Sequence, residues 1–183
     1  MAKLDILIFP NEILRTKCTP VQKVDERLHK IFEDMAETMY EAPGVGLAAP
    51  QVGLTERIMV VDVGPLLTEG ETSVGLLKII NPEIIESSGT STFEEGCLSL
   101  PLLLEAIERP AEVTVKFQEP SGQERVLKAS GILATALQHE IDHLNGVLIL
   151  DYLSPLKRSS YKSKLKKELK RMAQAEKEKK EKS

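Results

Sequence analysis

Chemically active side chains are concentrated in residues 138–146, which read QHEIDHLNG. His139, Glu140 and His143 form an H-E-x-x-H pattern there. Residues four apart on a helix lie one turn above each other on the same face. The two imidazoles can therefore reach one cation at about 2 Å while the carboxylate stands beside it. The spacing predicts a metal site with an adjacent carboxylate.

A third protein ligand is needed, because a catalytic site of this type binds its metal through three side chains and keeps one position open for water. His29, the remaining histidine, falls on the polar side of a predicted helix. Asp151 and Glu168 lie downstream, where many metallopeptidases place a carboxylate ligand. Asp151, however, is close to the end of the helix that carries the histidines, and Glu168 is among the lysines of the tail. Cys97 follows a glycine in the non-helical segment EEGCLSLP, and its thiolate is a strong ligand for a soft or borderline cation. The pattern favours Cys97.

Hydrophobic periodicity predicts the helices that position these residues. Residues 25–40 repeat apolar side chains at steps of three and four, as an amphipathic helix does, and Asp25 is a suitable N-cap. A second helix is predicted from a cap at Ser130 to a stop at Gly146, and it carries the H-E-x-x-H pattern. Both helices have an apolar face to bury.

Strand patterns surround the second helix. Residues 57–63 are typical of a buried strand, residues 64–77 of an exposed loop, and residues 112–130 of a hairpin with a Pro-Ser-Gly turn. Strands followed by a buried helix predict an α+β fold. We expect mixed or antiparallel strands around a buried metal-binding helix, with a basic helix at the C-terminus.

The composition is that of a globular protein with one domain and a tail. The chain has 183 residues, of which 42% are hydrophobic. It contains no stretch as long as a membrane span, and its N-terminus lacks the cationic lead and the cleavage site of a signal peptide. We therefore expect a cytoplasmic protein with reduced thiols, in which Cys18 is a small buried side chain.

Charge is unevenly distributed along the chain. Residues 157–183 contain 12 Lys and Arg against 4 Glu, a net charge of +8, which leaves 12 Lys and Arg and 24 Asp and Glu, or −12, for residues 1–156. This asymmetry suggests an anionic partner for the tail, although a solvated helix that only aids solubility explains it equally well.

Three segments together resemble the peptide deformylases: GVGLAAPQ at 44–51, EGCLS at 95–99 and QHEIDHLNG at 138–146. The similarity extends to about Pro155, so we expect a catalytic domain over residues 1–155 and a lysine-rich helical tail over residues 156–183. The resemblance implies an α+β enzyme that removes the formyl group from the N-terminal formyl-methionine of newly made polypeptides.

The resemblance also implies a role for each motif residue. One divalent metal ion would be held, ferrous iron in most family members, with zinc or nickel also able to occupy the site. Its ligands would be Cys97, His139 and His143. Glu140 would take the proton of the attacking water and pass it to the leaving amine. The Gln51 side chain and the backbone N–H of Leu98 would donate hydrogen bonds to the formyl oxygen as charge develops on it.

Substrate contacts are predicted at both the first motif and the second helix. Gly44 and Gly46 suit positions where the backbone of a formyl-methionyl peptide approaches closely, pairing as an added strand. The family pattern makes Val45 a wall of the methionine pocket. Ala136 and Ile132 lie one and two turns before His139 on the same helix face, and this spacing adds them to the pocket.

One segment departs from the family pattern. Leu102, Leu103 and Leu104 stand where family members usually have a glycine or a polar, often basic, residue. The departure concerns the part of the site that would hold substrate residues beyond the methionine, and we expect catalysis to be unaffected by it.

The tail has an expected partner if the chain is a deformylase, because such an enzyme acts on polypeptides as they leave the ribosome. Cations on the predicted C-terminal helix would suit the phosphates of ribosomal RNA. They are Lys164, Lys166, Lys167, Lys170 and Arg171.

Two other functions fit parts of the sequence. A zinc peptidase would share the Glu140 chemistry and use a downstream carboxylate as its third ligand. A binding module would close its structural metal with a fourth protein ligand and act through the basic tail.

Overall fold

The computed structural model describes residues 3–70 and 72–181, and it has the α+β fold that the sequence predicts. Its helices are α1 (Glu26–Glu41), α2 (Gly131–Leu144) and α3 (Pro155–Glu181). Its strands are β1 (Gly46–Ala48), β2 (Ile58–Val61), β3 (Leu77–Ser88), β4 (Ser91–Gly96), β5 (Leu104–Arg109), β6 (Glu112–Gln118) and β7 (Glu124–Ser130). Short 3₁₀ turns lie at Glu12–Arg15, Ala49–Val52, Gly64–Leu66 and Ile149–Tyr152.

The strands form one larger sheet and a separate hairpin. The sheet has the order β1–β2–β3–β6–β7, and β1 is one of its two edge strands, with Gly46 opposite Val61. The hairpin consists of β4 and β5, with Gly96 opposite Leu104. Every pair of named strands in the described part of the chain is antiparallel, so the strand arrangement is antiparallel rather than mixed.

The main core lies between the sheet and the helices α1 and α2. Phe32 and Met35 from α1, Val60 and Ile79 from the sheet and Leu137 from α2 are all fully buried in it. Burial of the apolar face of α2 fixes the rotation of this helix about its axis. The polar residues in the C-terminal half of α2 therefore lie on a fixed face of this helix.

Local interactions set the ends of the helices. The Asp25 side chain accepts a hydrogen bond from the Leu28 N–H at 2.9 Å, as its predicted cap role requires. Ser130 occupies the N-cap position of α2, but its side chain makes no capping hydrogen bond. Gly146 follows the C-cap residue of α2 with φ +74°, and a Cβ there would lie 2.4 Å from the Arg15 carbonyl oxygen. A glycine is therefore required at the end of this helix.

The first turns of α3 belong to the packed body. Tyr161 and Leu165 are buried in a second apolar cluster with Leu14, Leu100 and Leu148. The Tyr161 hydroxyl also donates to the Pro101 carbonyl at 3.1 Å. A cut after residue 156 would remove both buried side chains from this cluster.

The remainder of α3 is exposed over residues 170–178. Among the described helices, none combines the length and the apolar character that a membrane span requires.

The packing of α3 gives a stability prediction. Leu165→Ala should lower the free energy of unfolding by about 2–5 kcal/mol, because it leaves a cavity among buried leucines. Met172→Ala is the matched control, since Met172 is 53% exposed on the same helix, and it should change stability by less than about 0.5 kcal/mol. Urea unfolding followed by circular dichroism measures both. Equal losses in the two variants would contradict the packing of α3 on the body.

Candidate metal centre

Cys97 and the two histidines of α2 converge on one point. Cys97 follows β4 directly, while His139 and His143 lie on successive turns of α2. The ligand atoms of the three residues all lie within 4.8 Å of one another, and the Cys97 Sγ is 3.2 Å from His143 Nε2. Metal bonds of about 2.0–2.3 Å in a tetrahedral arrangement separate neighbouring ligands by similar distances. The donor set of one thiol and two imidazoles therefore fits a single divalent cation.

The two histidines have different environments. Burial lowers the pKa of His143 well below its ordinary value, and the charge of His139 acts in the same direction, so His143 is a neutral imidazole with a free lone pair. Burial also lowers the pKa of His139, but hydrogen bonds with Cys97 and Glu95 outweigh it and raise the pKa overall. A metal ion would compete with a proton for His139.

Glu95 holds His139 in place. Its Oε2 lies 2.9 Å from His139 Nδ1, so the other ring nitrogen, Nε2, is left for a metal ion. The Arg109 guanidinium binds Glu95 through two hydrogen bonds, of 2.6 and 3.0 Å. These hydrogen bonds outweigh burial and lower the pKa of Glu95, which is therefore a carboxylate.

Sequence reasoning missed Glu95 and Arg109. One available signal was the period-two alternation of LEAIER, which puts Ile107 and Arg109 on the same buried face of β5. An arginine on a buried strand face requires an acidic partner. The identity of that partner could not be read from the alternation.

Glu140 lies beside the ligand atoms with little access to water. It is buried, and its Oε2 accepts no hydrogen bond within the described residues. Burial raises the pKa of its carboxyl to about 7. The glutamate is therefore suited to both accepting and releasing a proton near neutral pH.

Gln51 is oriented by the backbone. Its Oε1 accepts a hydrogen bond from the Ala48 N–H at 2.9 Å, which turns the amide Nε2 toward Ser99 Oγ at 3.3 Å and Cys97 Sγ at 3.8 Å. Ser99 is buried and was not predicted as part of the site. The backbone N–H of Leu98 donates no hydrogen bond within residues 3–70 and 72–181. Two donors are thus placed next to the ligand atoms.

A cavity of ≈ 380 Å³ adjoins these groups. All the residues predicted to contact substrate line it, namely Gly44, Val45, Gly46, Ile132 and Ala136. Gln51, Cys97, Leu98, His139 and Glu140 also contribute to its wall. An apolar pocket that ends at a few polar groups is the usual form of a site for a small apolar side chain.

The two glycines of the first motif make room for the enzyme's own side chains. A Cβ on Gly46 would lie 2.3 Å from Glu140 Oε1, and a Cβ on Gly44 would lie 2.8 Å from Leu98 Cδ1. Sequence reasoning had linked these glycines only to the approach of substrate. The structure adds a second reason for each of them.

The three consecutive leucines occupy different environments. Leu103 is buried, whereas Leu102 and Leu104 are 53% and 60% exposed. Leu104 lies opposite Gly96, which lines the cavity. Leu104 therefore lies across the β4–β5 pair from a residue of the cavity wall.

The alternative ligands have other contacts. Asp151 binds Arg15 with two hydrogen bonds, of 2.5 and 3.0 Å, and Glu168 pairs with Arg171. His29 is exposed on α1. Cys18 is buried, and burial raises the pKa of its thiol to about 11, as expected for a small core side chain.

An α+β domain that brings a cysteine against an H-E-x-x-H helix, beside a cavity, has the arrangement of a metal-dependent hydrolase. The chain matches the polypeptide deformylase family over residues 3–159. It is 49% identical over 170 residues to the peptide deformylase of Syntrophobacter fumaroxidans, covering 93% of this chain and 98% of that protein.

Solved structures agree with the sequence match. The crystal structure of a peptide deformylase from Legionella pneumophila has a TM-score of 0.85 at 44% identity and covers 94% of this chain and 98% of that one. The Ehrlichia chaffeensis peptide deformylase in complex with actinonin has a TM-score of 0.86 at 42% identity, with 92% and 98% covered. The chain belongs to the polypeptide deformylase family, hydrolases that remove the formyl group from the N-terminal methionine of nascent peptides.

The close approach of Gly46 to Glu140 gives a prediction. Gly46→Ala should lower kcat/KM for a formyl-methionyl peptide by about 10²-fold, because the added Cβ displaces the Glu140 carboxylate. Metal content and circular dichroism should be unchanged. Gly44→Ala is the comparison, since its tightest contact is with the terminal Cδ1 of Leu98, which can rotate away, and it should cost less. Near-normal turnover of Gly46→Ala would show that the position of this carboxylate is not critical.

Proposed function

We propose that Cys97, His139 and His143 bind one divalent metal ion and that Glu140 is the general base of deformylation. The convergence of these ligand atoms beside a buried carboxylate at the cavity wall is the observation that carries the proposal. When bound, a divalent cation supplies Lewis acidity, which polarises a carbonyl and makes water a better nucleophile.

The protein's own groups account for the proton transfers. Glu140 accepts a proton as water adds to the formyl carbon, and it returns that proton to the methionine nitrogen as the carbon–nitrogen bond breaks. Formate and the free amine are the products. The pKa of about 7 suits both directions of transfer.

Gln51 and Leu98 stabilise the charge that grows on the formyl oxygen. The Gln51 Nε2 and the Leu98 backbone N–H are donors fixed before substrate binds, so neither must reorganise during the reaction. The Ser99 hydroxyl is within hydrogen-bonding distance of Gln51 Nε2 and helps to position that amide.

Methionine binds in the apolar cavity. Val45, Ile132 and Ala136 form its walls, and β1 is the edge strand of the sheet next to it. An extended peptide pairing along Gly44 and Gly46 would place its first side chain toward these walls. Leu104 then offers an apolar surface for a substrate residue beyond the methionine.

Ferrous iron is the metal that we propose for the native enzyme. The donor set of one sulfur and two nitrogens also accepts zinc or nickel, so the coordination chemistry allows all three. A reducing cytoplasm, in which the Cys97 thiol stays reduced, is the location that this site requires.

Rival assignments fit the structure less well. A peptidase with a downstream carboxylate ligand is disfavoured, because Asp151 and Glu168 are both engaged with arginines. A purely structural metal is disfavoured by the cavity that reaches Cys97 and His139.

Paired variants separate metal binding from proton transfer. Glu140→Gln should retain metal and fold but lose roughly 10²-fold or more in kcat, because the amide cannot accept the proton. Cys97→Ser should lose most of its metal, since a hydroxyl is a poor ligand for a thiophilic cation. Metal analysis of protein purified without oxygen, together with a formyl-peptide assay, measures both effects and should find iron in the parent protein.

Two outcomes would contradict these roles. Near-normal turnover of Glu140→Gln with full metal would remove Glu140 from the mechanism. Unchanged metal content in Cys97→Ser would remove Cys97 from the ligands, and zinc or nickel in the anaerobic protein would replace iron as the native metal.

We also propose a division between residues 1–155, which catalyse, and residues 156–183, which dock the enzyme on the ribosome. The cations Lys164, Lys166 and Lys167 are exposed on α3, as are Lys170 and Arg171. Arg171 is paired with Glu168, so the lysines carry most of the unbalanced charge. The acidic body repels RNA, which leaves the tail as the surface for phosphate contacts.

Substitutions test docking without disturbing the packing of α3. Replacing Lys164, Lys166 and Lys167 by Gln should leave hydrolysis of a short formyl peptide unchanged. It should weaken co-sedimentation with ribosomes at low salt and reduce the salt dependence by about one unit of slope per lost phosphate contact. The control variant replaces Lys17, Lys23 and Lys128 by Gln. These lysines are exposed on the body, so the control loses the same number of positive charges. Equal pelleting of both triple variants would show that the tail is only a solvated helix.

A further inference from the structure

Arg109 connects the parts of the chain that supply the metal ligands. Its guanidinium is bound on one side to Glu95 of β4 and on the other to Asp142 of α2, at 2.8 Å. The Tyr152 hydroxyl, from the 3₁₀ turn after α2, donates to the same Asp142 oxygen at 2.7 Å. The guanidinium carbon of Arg109 also lies 4.9 Å from the centre of the Tyr152 ring. Hairpin, helix and turn therefore meet at one buried cation.

The residues that Arg109 binds are next to metal ligands in the sequence. Glu95 precedes Cys97 by two residues, and Asp142 precedes His143 by one. Glu95 also contacts His139 directly. A shift of Arg109 would consequently move the thiol relative to the imidazoles, because Cys97 and the histidines lie on elements that do not pair by backbone hydrogen bonds.

The chemistry of arginine matches this position. Three of its nitrogens are engaged at once in a planar fork, which a lysine ammonium cannot reproduce. Arg109 is only 5% exposed, so its ion pairs are shielded from water and fix geometry more firmly than surface pairs do.

We infer that Arg109, through Glu95 and Asp142, is a positioning residue that sets the spacing between the Cys97 thiolate and the two imidazoles, and with it the affinity and geometry of the metal site. The inference rests on the proposed metal site. Arg109, Asp142 and Tyr152 would act by positioning the metal ligands, without contacting the metal or the substrate.

Cobalt(II) binding tests the inference, because the visible spectrum of cobalt reports ligand geometry independently of activity. Arg109→Met and Arg109→Lys should each weaken cobalt binding by about 10- to 100-fold, the effect typical of residues that orient metal ligands. At saturating cobalt, the ligand-field bands should shift or lose intensity relative to the parent protein. Arg109→Lys keeps the positive charge, but it should not show the parent spectrum, because charge alone does not supply the planar fork of hydrogen-bond donors.

Control variants separate positioning from a general loss of stability. Arg125→Met removes an arginine that pairs with Glu119 at the turn between β6 and β7, and it should leave the spectrum unchanged. Leu28→Ala destabilises the fold at a fully buried residue of α1, outside the apolar cluster against which Cys97 packs, and it should also retain the parent spectrum. Asp142→Asn keeps the Glu95 pair and the side-chain shape, so it provides a folded variant if Arg109→Met does not fold, and it should shift the bands in the same direction.

The outcomes distinguish this inference from the proposed metal site. If Cys97→Ser loses cobalt while the Arg109 and Asp142 variants bind it with parent affinity and spectrum, Arg109 has no positioning role. If Leu28→Ala perturbs the spectrum as much as Arg109→Lys does, the effect is one of stability and the inference is overturned. If Cys97→Ser itself binds cobalt normally, the metal site is wrong and the inference falls with it.

Discussion

The burial of polar side chains on α2 is the constraint on which the rest of the structure depends. Gln138, His139, Glu140 and His143 are all buried on a helix whose opposite face enters the apolar core. Burying such groups is unfavourable unless each finds a partner. The Gln138 amide donates to the carbonyls of Pro110 and Ala134, both at 3.0 Å. The other three converge on the candidate metal centre, so the cost of their burial is tied to function.

The position of His143 depends on how tightly the C-terminal end of α2 is fixed. At its C-terminus, the Leu144 carbonyl accepts hydrogen bonds from the Cys18 N–H at 2.9 Å and from Arg57 at 3.4 Å. Arg57 also binds the Asn145 side chain at 2.8 Å. The two bonds to Leu144 satisfy a carbonyl group that the helix end leaves free, and all three hold the turn that carries His143.

Two carboxylates near the histidines have different environments. Glu95 is ionised, because Arg109 and His139 offset its burial and lower its pKa. Glu140 Oε2 makes no hydrogen bond within the described residues, and burial outweighs the charges of His139 and Arg109 and raises the pKa of this carboxyl to about 7. Two acids whose pKa values are separated in this way can have different roles: Glu95 can orient a ligand, and Glu140 can transfer protons. The room that Gly46 leaves for Glu140 makes the second environment possible.

The sequence by itself determined the local features. Helix α1 with its Asp25 cap, α2 with its H-E-x-x-H spacing and the β6–β7 hairpin all follow from periodicity and turn chemistry, which act between near neighbours. The convergence of Cys97 with the histidines was also expected, through the resemblance of three motifs to a known family. Tertiary structure alone decided that Glu95 pairs with Arg109, that Arg109 reaches Asp142 and that Tyr161 and Leu165 pack on the body. These contacts join residues that are distant in sequence. A buried charge in the sequence indicates that a partner of opposite charge is needed. Only the packing of helix, hairpin and turn determines which residue that partner is.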